Sequence, residues 1–156
     1  MIYVFDTSSF RVVDHYFPDR FPSFWERFDE AVSDGIVVSV REVRNELDRQ
    51  SRRPHLEEWI GRNRSIFLQP SSEEMDFVAQ VFAIPHFQHL VKAENLLKGM
   101  PVADPFVIAS AKCRNGCVVT EESRREHAAR IPNVCEHFGI DCTNVDGFMA
   151  REGWEF

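Results

Sequence analysis

The sequence has no apolar run that approaches the roughly 18 residues of a membrane-spanning helix. Its opening segment, MIYVFDTSSF, has no basic residues ahead of the apolar ones, as a signal peptide would have. Internal repeats and low-complexity stretches are also missing. With 156 residues, of which 44% are hydrophobic, the chain is long enough to bury a core without disulfides. We therefore expect one domain over residues 1–156, located in the cytoplasm and without a membrane partner.

Motifs of several enzyme and metal-binding classes are absent as well. There is no GxSxG nucleophile elbow and no GxxxxGK phosphate-binding loop, which argues against serine hydrolases and P-loop nucleotide-binding proteins. Cysteine is scarce, and its four residues follow no CxxC spacing. A zinc site that adds His137 is an alternative, but four reduced thiols explain the pattern better in a chain without a secretion signal. The cysteines are Cys113, Cys117, Cys135 and Cys142.

Lysine is rare, with 3 residues against 15 arginines. The net charge of −7 argues against a protein that holds a nucleic-acid duplex by bulk positive charge. Between Arg41 and Arg64, however, seven arginines stand against five acids. Guanidinium groups bind phosphates through paired hydrogen bonds, so this segment is a candidate for substrate contact; the alternative is ion pairing on a solvated helix face. The candidate substrate-binding residues are Arg44, Arg49, Arg52 and Arg53, with Arg124 and Arg125 as a second path.

Short apolar, β-favouring runs alternate with helical patterns along the chain. This alternation predicts an α/β fold, a three-layer α/β/α sandwich with a central, mainly parallel sheet. Among the helices, the periodicity predicts one over Phe87–Lys98 and another over Pro101–Arg114. The predicted strands are Ile2–Phe5, Ile36–Val40, Ile66–Leu68, Cys117–Thr120 and Ile140–Thr143.

Acidic residues follow three of these strands, at the edge where open parallel sheets bind their ligands. Asp6 ends the first strand, Glu46 lies in the helix after the second, and Glu122 follows Cys117–Thr120. A fourth acid, Asp104, lies early in the helix PVADPFVIASA. Taken singly, each acid is explained as well by a helix cap or a surface ion pair. Four acids at one edge are harder to explain by capping.

A cluster of carboxylates needs a cation, because like charges at close range repel and raise each other's pKa. Oxygen ligands favour a hard ion, Mg²⁺ or Mn²⁺. Such an ion activates water and neutralises the charge that develops on phosphorus, which is the chemistry of phosphodiester hydrolysis. It would also allow a protein with a net charge of −7 to act on a polyanion.

Four sequence elements resemble those of the PIN-domain nucleases, and the resemblance extends over essentially the whole chain. The tail IPNVCEHFGIDC is similar to a PIN-like subfamily of poorly characterised bacterial and archaeal proteins. The chain departs from the family pattern at Ser8, where Asn is commoner, and at Glu122, where Asp is usual. The four elements are IYVFDTSS with Asp6, Thr7 and Ser8; VVSVREVRNEL with Glu46, and Glu42 one turn earlier as a second match; VADPFVIASA with Asp104; and VVTEES with Thr120, Glu121 and Glu122.

The resemblance implies a Mg²⁺- or Mn²⁺-dependent ribonuclease of the VapC-like toxin type. Small single-domain members are often dimeric toxins, held inactive by an antitoxin protein, so RNA, an antitoxin and a second copy are the implied partners. The alternatives are an RNA-processing or structure-specific nuclease without a toxin role and an inactive scaffold that binds RNA or protein. The implied catalytic and metal-binding residues are Asp6, Glu46, Asp104 and Glu122, and the accessory residues are Thr7, Ser8, Thr120, Glu42 and Glu121.

Overall fold

The protein folds around a five-stranded sheet whose strands are all parallel, in the order β3-β2-β1-β4-β5. The computed structural model describes the backbone of residues 1–156 and the side chains of all but residues 93 and 94. The predicted α/β fold with a central parallel sheet is confirmed. The strands are β1 (Tyr3–Phe5), β2 (Val37–Val40), β3 (Phe67–Leu68), β4 (Cys117–Val119) and β5 (Asp141–Thr143).

The central strand, β1, is covered on both sides, which explains its continuous apolar sequence. Val4 and Phe5 are fully buried. Val4 is in register with Val38 on one neighbouring strand and with Val118 on the other. The β-branched residues of these strands suit a pleated surface that is packed on both faces.

Helices connect the strands and cover both faces of the sheet. On one face, Phe5 contacts Phe10, Phe28 and Phe148, with ring centroids 5.2–5.7 Å apart. On the other face, α7 packs against β1, β2 and β4, and α5 packs on α7. The helices are α1 (Thr7–Val13), α2 (Pro22–Ser33), α3 (Arg41–Asp48), α4 (Pro54–Arg62), α5 (Ser72–Phe82), α6 (Ala93–Leu97), α7 (Asp104–Arg114), α8 (Ile131–Phe138) and α9 (Val145–Arg151).

Two helices differ from the sequence prediction. The single helix predicted over Phe87–Lys98 is wrong, because the segment forms a 3₁₀ helix at Pro85–Leu90 and then α6. Val91 lies between them with an extended backbone (φ −108°, ψ 119°), which β-branched residues favour and which ends the first helix. The helix predicted from Pro101 begins at Asp104 instead, and Pro105 occupies its first turn, where a missing N–H costs little.

Of the helices in the part of the chain that the structure describes, none is long and apolar enough to cross a membrane.

Gly116, between α7 and β4, is required by a close backbone approach. A Cβ atom there would lie 2.5 Å from the carbonyl oxygen of Ile2, which already accepts a hydrogen bond from the amide of Cys117 at 2.8 Å. We expect Gly116→Ala to lower the free energy of unfolding by about 1–3 kcal/mol, the usual cost of overpacking. The matched control is Gly61→Ala in α4, where no atom lies within 4 Å of the added Cβ.

Urea denaturation of the two variants tests this expectation. Gly61→Ala should leave the protein as stable or up to about 1 kcal/mol more stable, because alanine is the better helix former. Equal effects of the two substitutions would show that the strand edge beside Ile2 can move away at little cost.

Candidate active site

The four predicted acids lie at the carboxyl-terminal edge of the sheet. Asp6 directly follows β1, and Glu122 follows β4 by three residues. Glu46 is in the second turn of α3, which begins directly after β2. Asp104 is the first residue of α7, the helix that packs across the three central strands. Topology thus brings together four carboxylates that are widely separated along the chain.

Asp6 is held by two hydroxyl groups. Its side chain is only 3% exposed, and its Oδ2 accepts hydrogen bonds from Ser8 Oγ and Thr120 Oγ1, each at 3.0 Å. Its Oδ1 is buried and has no hydrogen-bond partner among the described residues. Burial raises the pKa of Asp6, and the hydrogen bonds from the hydroxyl groups of Ser8 and Thr120 oppose that change. The orphaned oxygen is what a bound cation would satisfy.

Glu46 is fixed by the helix that follows the first strand. Thr7 Oγ1 donates a hydrogen bond of 2.5 Å to Glu46 Oε1. Burial raises the pKa of Glu46, as do the neighbouring carboxylates of Asp6 and Glu122, while Thr7 and the backbone amide of Ala103 lower it. Glu46 is therefore held between α1 and the start of α7.

Among the acids of the cluster, Asp104 has a pKa that is raised far above that of a free aspartate. Burial, followed by the charges of Asp6, Glu122 and Glu46, raises its pKa to about 9. The charge of Lys92 lowers it only in part. The raised pKa shows that nearby positive charge does not balance the four carboxylates.

The adjacent acids Glu121 and Glu122 each bind the start of a different helix. Glu122 Oε2 accepts a hydrogen bond of 3.0 Å from the amide of Ile131, the first residue of α8. Glu121 Oε1 accepts one of 3.1 Å from Val145, the first residue of α9. Burial raises the pKa of Glu122, with Asp6 adding to the effect. Glu122 thus belongs electrostatically to the cluster, whereas Glu121 is engaged by α9.

Glu42, the second match to the family pattern in α3, has other neighbours. It pairs with Arg41 at 2.8 Å, and its Oε2 is buried without a hydrogen-bond partner. Its charge is not among the main causes that shift the pKa of Asp6, Glu46 or Asp104. Of the two candidate glutamates in α3, Glu46 is the one that the fold brings to the cluster.

The candidate phosphate-binding arginines have mixed surroundings. Arg44 and Arg52 both reach Asp48, at 3.9 and 3.3 Å. Arg53 pairs with Asp14 at 3.0 Å and lies over the ring of Phe17, with 5.3 Å from its Cζ to the ring centroid. Arg49 contacts Met100 Sδ at 3.6 Å. Of the two alternative substrate-binding arginines, Arg124 pairs with Glu136. The backbone of Arg125 forms hydrogen bonds with the side chain of Asn133.

Carboxylate oxygens are suitable ligands for a hard divalent cation, but in this structure the four carboxylates do not surround a single point. Among the described residues, no three His, Cys, Asp or Glu side chains are close enough together to hold one ion as they stand. The unpartnered Oδ1 of Asp6 and the raised pKa of Asp104 are nevertheless typical of a group of oxygen ligands without a cation.

Two contributors to the site were not predicted from the sequence. Lys92 places a positive charge near Asp104, and the Ala103 amide favours the charged form of Glu46. Neither contributor can be recognised in the sequence, because a single lysine and a backbone N–H group form no motif with a distinctive spacing. The packing of α7 over the sheet brings Ala103, the residue that precedes this helix, to the cluster.

A family model described as "Domain of unknown function (DUF4411)" matches residues 3–156. None of the curated proteins is significantly similar to the sequence. Among solved structures, a similar fold is found in a chain of VapBC2 from Rickettsia felis. That crystal structure contains VapBC2 bound to a DNA fragment from the VapBC2 promoter. The TM-score is 0.52 at 14% identity, and the match covers 92% of this chain and 98% of that one. At this identity the likeness shows a shared α/β fold and carries no residue roles.

Proposed function

The chain belongs to the DUF4411 family, and we propose that it is a metal-dependent endoribonuclease, the toxin of a toxin–antitoxin pair. The observation that carries this proposal is the state of Asp6. One of its oxygens is held by Ser8 and Thr120, and the other is buried without a partner beside further carboxylates. Because most buried polar side-chain atoms have a hydrogen-bond partner, an unpartnered carboxylate oxygen among further acids supports a cation site.

We assign Asp6, Glu46, Asp104 and Glu122 to the binding of Mg²⁺ or Mn²⁺. When bound, the ion supplies an activated water and a positive charge for the phosphate under attack. Other residues of the chain hold three of these four carboxylates in position through hydrogen bonds. Ser8 and Thr120 fix the orientation of Asp6, Thr7 fixes Glu46, and the start of α8 fixes one oxygen of Glu122. Side chains that are already restrained by these hydrogen bonds lose less entropy when the ion binds.

The toxin assignment has two supports. The sequence motifs resemble those of PIN nucleases of the VapC-like type, and the fold is similar to that of a chain from a VapBC2 complex. We propose an antitoxin protein as partner, encoded by a small adjacent reading frame. Co-expression with that frame should relieve growth inhibition. An RNA-processing nuclease would show the same cleavage without growth inhibition or an adjacent inhibitor.

Cleavage of a mixed RNA pool tests the enzymatic proposal. With Mn²⁺ the wild-type chain should cut RNA, and EDTA should abolish cutting. Asp6→Asn keeps the shape of the side chain but weakens its hold on a cation, so we expect cleavage to fall at least about 100-fold. Asp29→Asn, on α2 away from the cluster, is the matched control and should cleave as the wild type does.

If the Asp6→Asn variant still cleaves RNA, the active site is not at the carboxylate cluster. If the wild-type chain binds RNA or protein and never cuts RNA with either metal, the chain is an inactive scaffold and the enzymatic proposal fails.

A further inference from the structure

We propose that a small polar pocket between α1, the end of α3 and the start of α4 binds a phosphate group of the RNA. This inference rests on the proposed function and names a contact with the substrate outside the carboxylate cluster. The pocket has a volume of about 130 Å³, and its lining includes Arg11, Arg52 and Arg53 together with Asp14. It is a concentration of positive charge in a protein whose net charge is −7.

The single acid of this lining is already neutralised. Asp14 Oδ2 pairs with the guanidinium of Arg53 at 3.0 Å, and its Oδ1 accepts from the backbone amide of Arg53 at 3.3 Å and lies 3.7 Å from His55 Nε2. The charge of Arg11 therefore stands in excess around the pocket, whereas the charge of Arg52 is shared with Asp48 at 3.3 Å.

Both of these arginines have hydrogen-bond donors to spare. Arg52 binds the carbonyl of Leu47 and the carboxylate of Asp48 through its terminal nitrogens, but its Nε is buried and has no partner among the described residues. Arg11 forms no ion pair with any carboxylate that the structure describes. A buried guanidinium N–H without an acceptor costs free energy, so an anion in the pocket would relieve it.

The size and walls of the pocket favour a phosphate group over a whole nucleotide. A volume of about 130 Å³ is equivalent to roughly four water molecules at ~30 Å³ each, well below the ~300 Å³ at which small-molecule pockets begin. Leu47 and Leu56 contribute apolar wall, which lowers the local dielectric constant and strengthens each charged hydrogen bond.

Two helices, α1 and α3, contribute residues both to the pocket and to the acidic cluster. Arg11 is one turn after Thr7 on α1, about 6 Å along the helix axis, and Thr7 binds Glu46. Leu47, in the pocket wall, is the next residue after Glu46 on α3. A strand whose scissile phosphate is at the cluster can therefore place another phosphate in this pocket.

RNA binding by the full chain in EDTA tests the inference without any metal. The probe is a short single-stranded RNA labelled at its 3′ end, with either a 5′-phosphate or a 5′-hydroxyl, followed by fluorescence anisotropy at several salt concentrations. We expect Arg11→Ala to weaken binding about tenfold and to flatten the salt dependence by about 0.7 in slope, as loss of one phosphate contact on a single strand should. The matched control is Arg62→Ala, which also removes an exposed arginine from the last turn of a helix.

The two RNAs distinguish the sources of the phosphate. If Arg11→Ala weakens only the 5′-phosphorylated RNA, the pocket holds a terminal phosphate; if it weakens both equally, the pocket holds a backbone phosphate. Equal affinities for Arg11→Ala and Arg62→Ala, or no RNA binding by the wild-type chain, would overturn the inference. Mn²⁺-dependent cleavage that is lost in Asp6→Asn would then still support the proposed function by itself.

Discussion

Asp104→Asn should abolish Mn²⁺-dependent RNA cleavage, by at least about 100-fold, while the protein remains folded. The amide keeps the size of the side chain but cannot carry the charge that a cation needs. Without metal the variant should unfold at the same temperature as the wild type or a higher one. The reason is that burial and three neighbouring carboxylates already penalise a charge on Asp104. Cleavage assays and thermal unfolding in EDTA measure the two effects.

Asp146→Asn is the control for the loss of a negative charge in the first turn of a helix. Asp146 also lies in the first turn of its helix, α9, but it is exposed to solvent. Asp146→Asn should leave cleavage intact and cost about 0.3–1 kcal/mol through the helix dipole. A large drop in the melting temperature of Asp104→Asn in EDTA would instead identify Asp104 as a structural cap.

The stability of the metal-free protein should fall as the pH rises, and a divalent cation should reverse the fall. The pKa of Asp104 is about 9 in the folded chain and about 3.9 when unfolded, so between these values the folded state binds the extra proton. Stability therefore decreases with rising pH across this window, because the unfolded state holds fewer protons. Asp104→Asn should flatten this dependence.

Thermal unfolding in EDTA at several pH values, then with Mn²⁺, measures both effects. At a concentration about 100 times its dissociation constant, the ion should stabilise the fold by about 2.7 kcal/mol, which for a chain of this length is roughly 5–10 °C. A metal-free protein whose stability rises steadily between pH 5 and pH 9 would contradict the assigned state of Asp104. A melting temperature that ignores Mn²⁺ would contradict the metal site.

Much of the fold could be read from the sequence because the central strands are buried on both faces. Such strands need unbroken apolar residues, and Tyr3–Phe5 and Cys117–Val119 show this directly. The segment after Pro85 was harder, since helical spacing of apolar residues says nothing about the extended backbone of Val91 between two short helices.

Placement of the acids was also predictable to the level of a sheet edge, but individual contacts were not. Sequence left Glu42 and Glu46 as alternatives, and the hydrogen bond from Thr7, 39 positions away, distinguishes them in the structure. Likewise, the partner of Arg53 is Asp14, also 39 positions away, rather than an acid on its own helix. Such pairs depend on how α1 packs against α3 and the start of α4, which no local pattern encodes.

The contact between Ser8 and Thr120 has a consequence for synthesis of the chain. These hydroxyls lie 3.2 Å apart and are separated by 112 positions, and both bind Asp6. At translation rates of about 5–20 residues per second, roughly 6–22 s pass between the emergence of the two residues. Over that interval the nascent chain has the first strand but not the strand that completes the cluster. A nascent chain of this protein therefore has no assembled site until most of the chain has been synthesised.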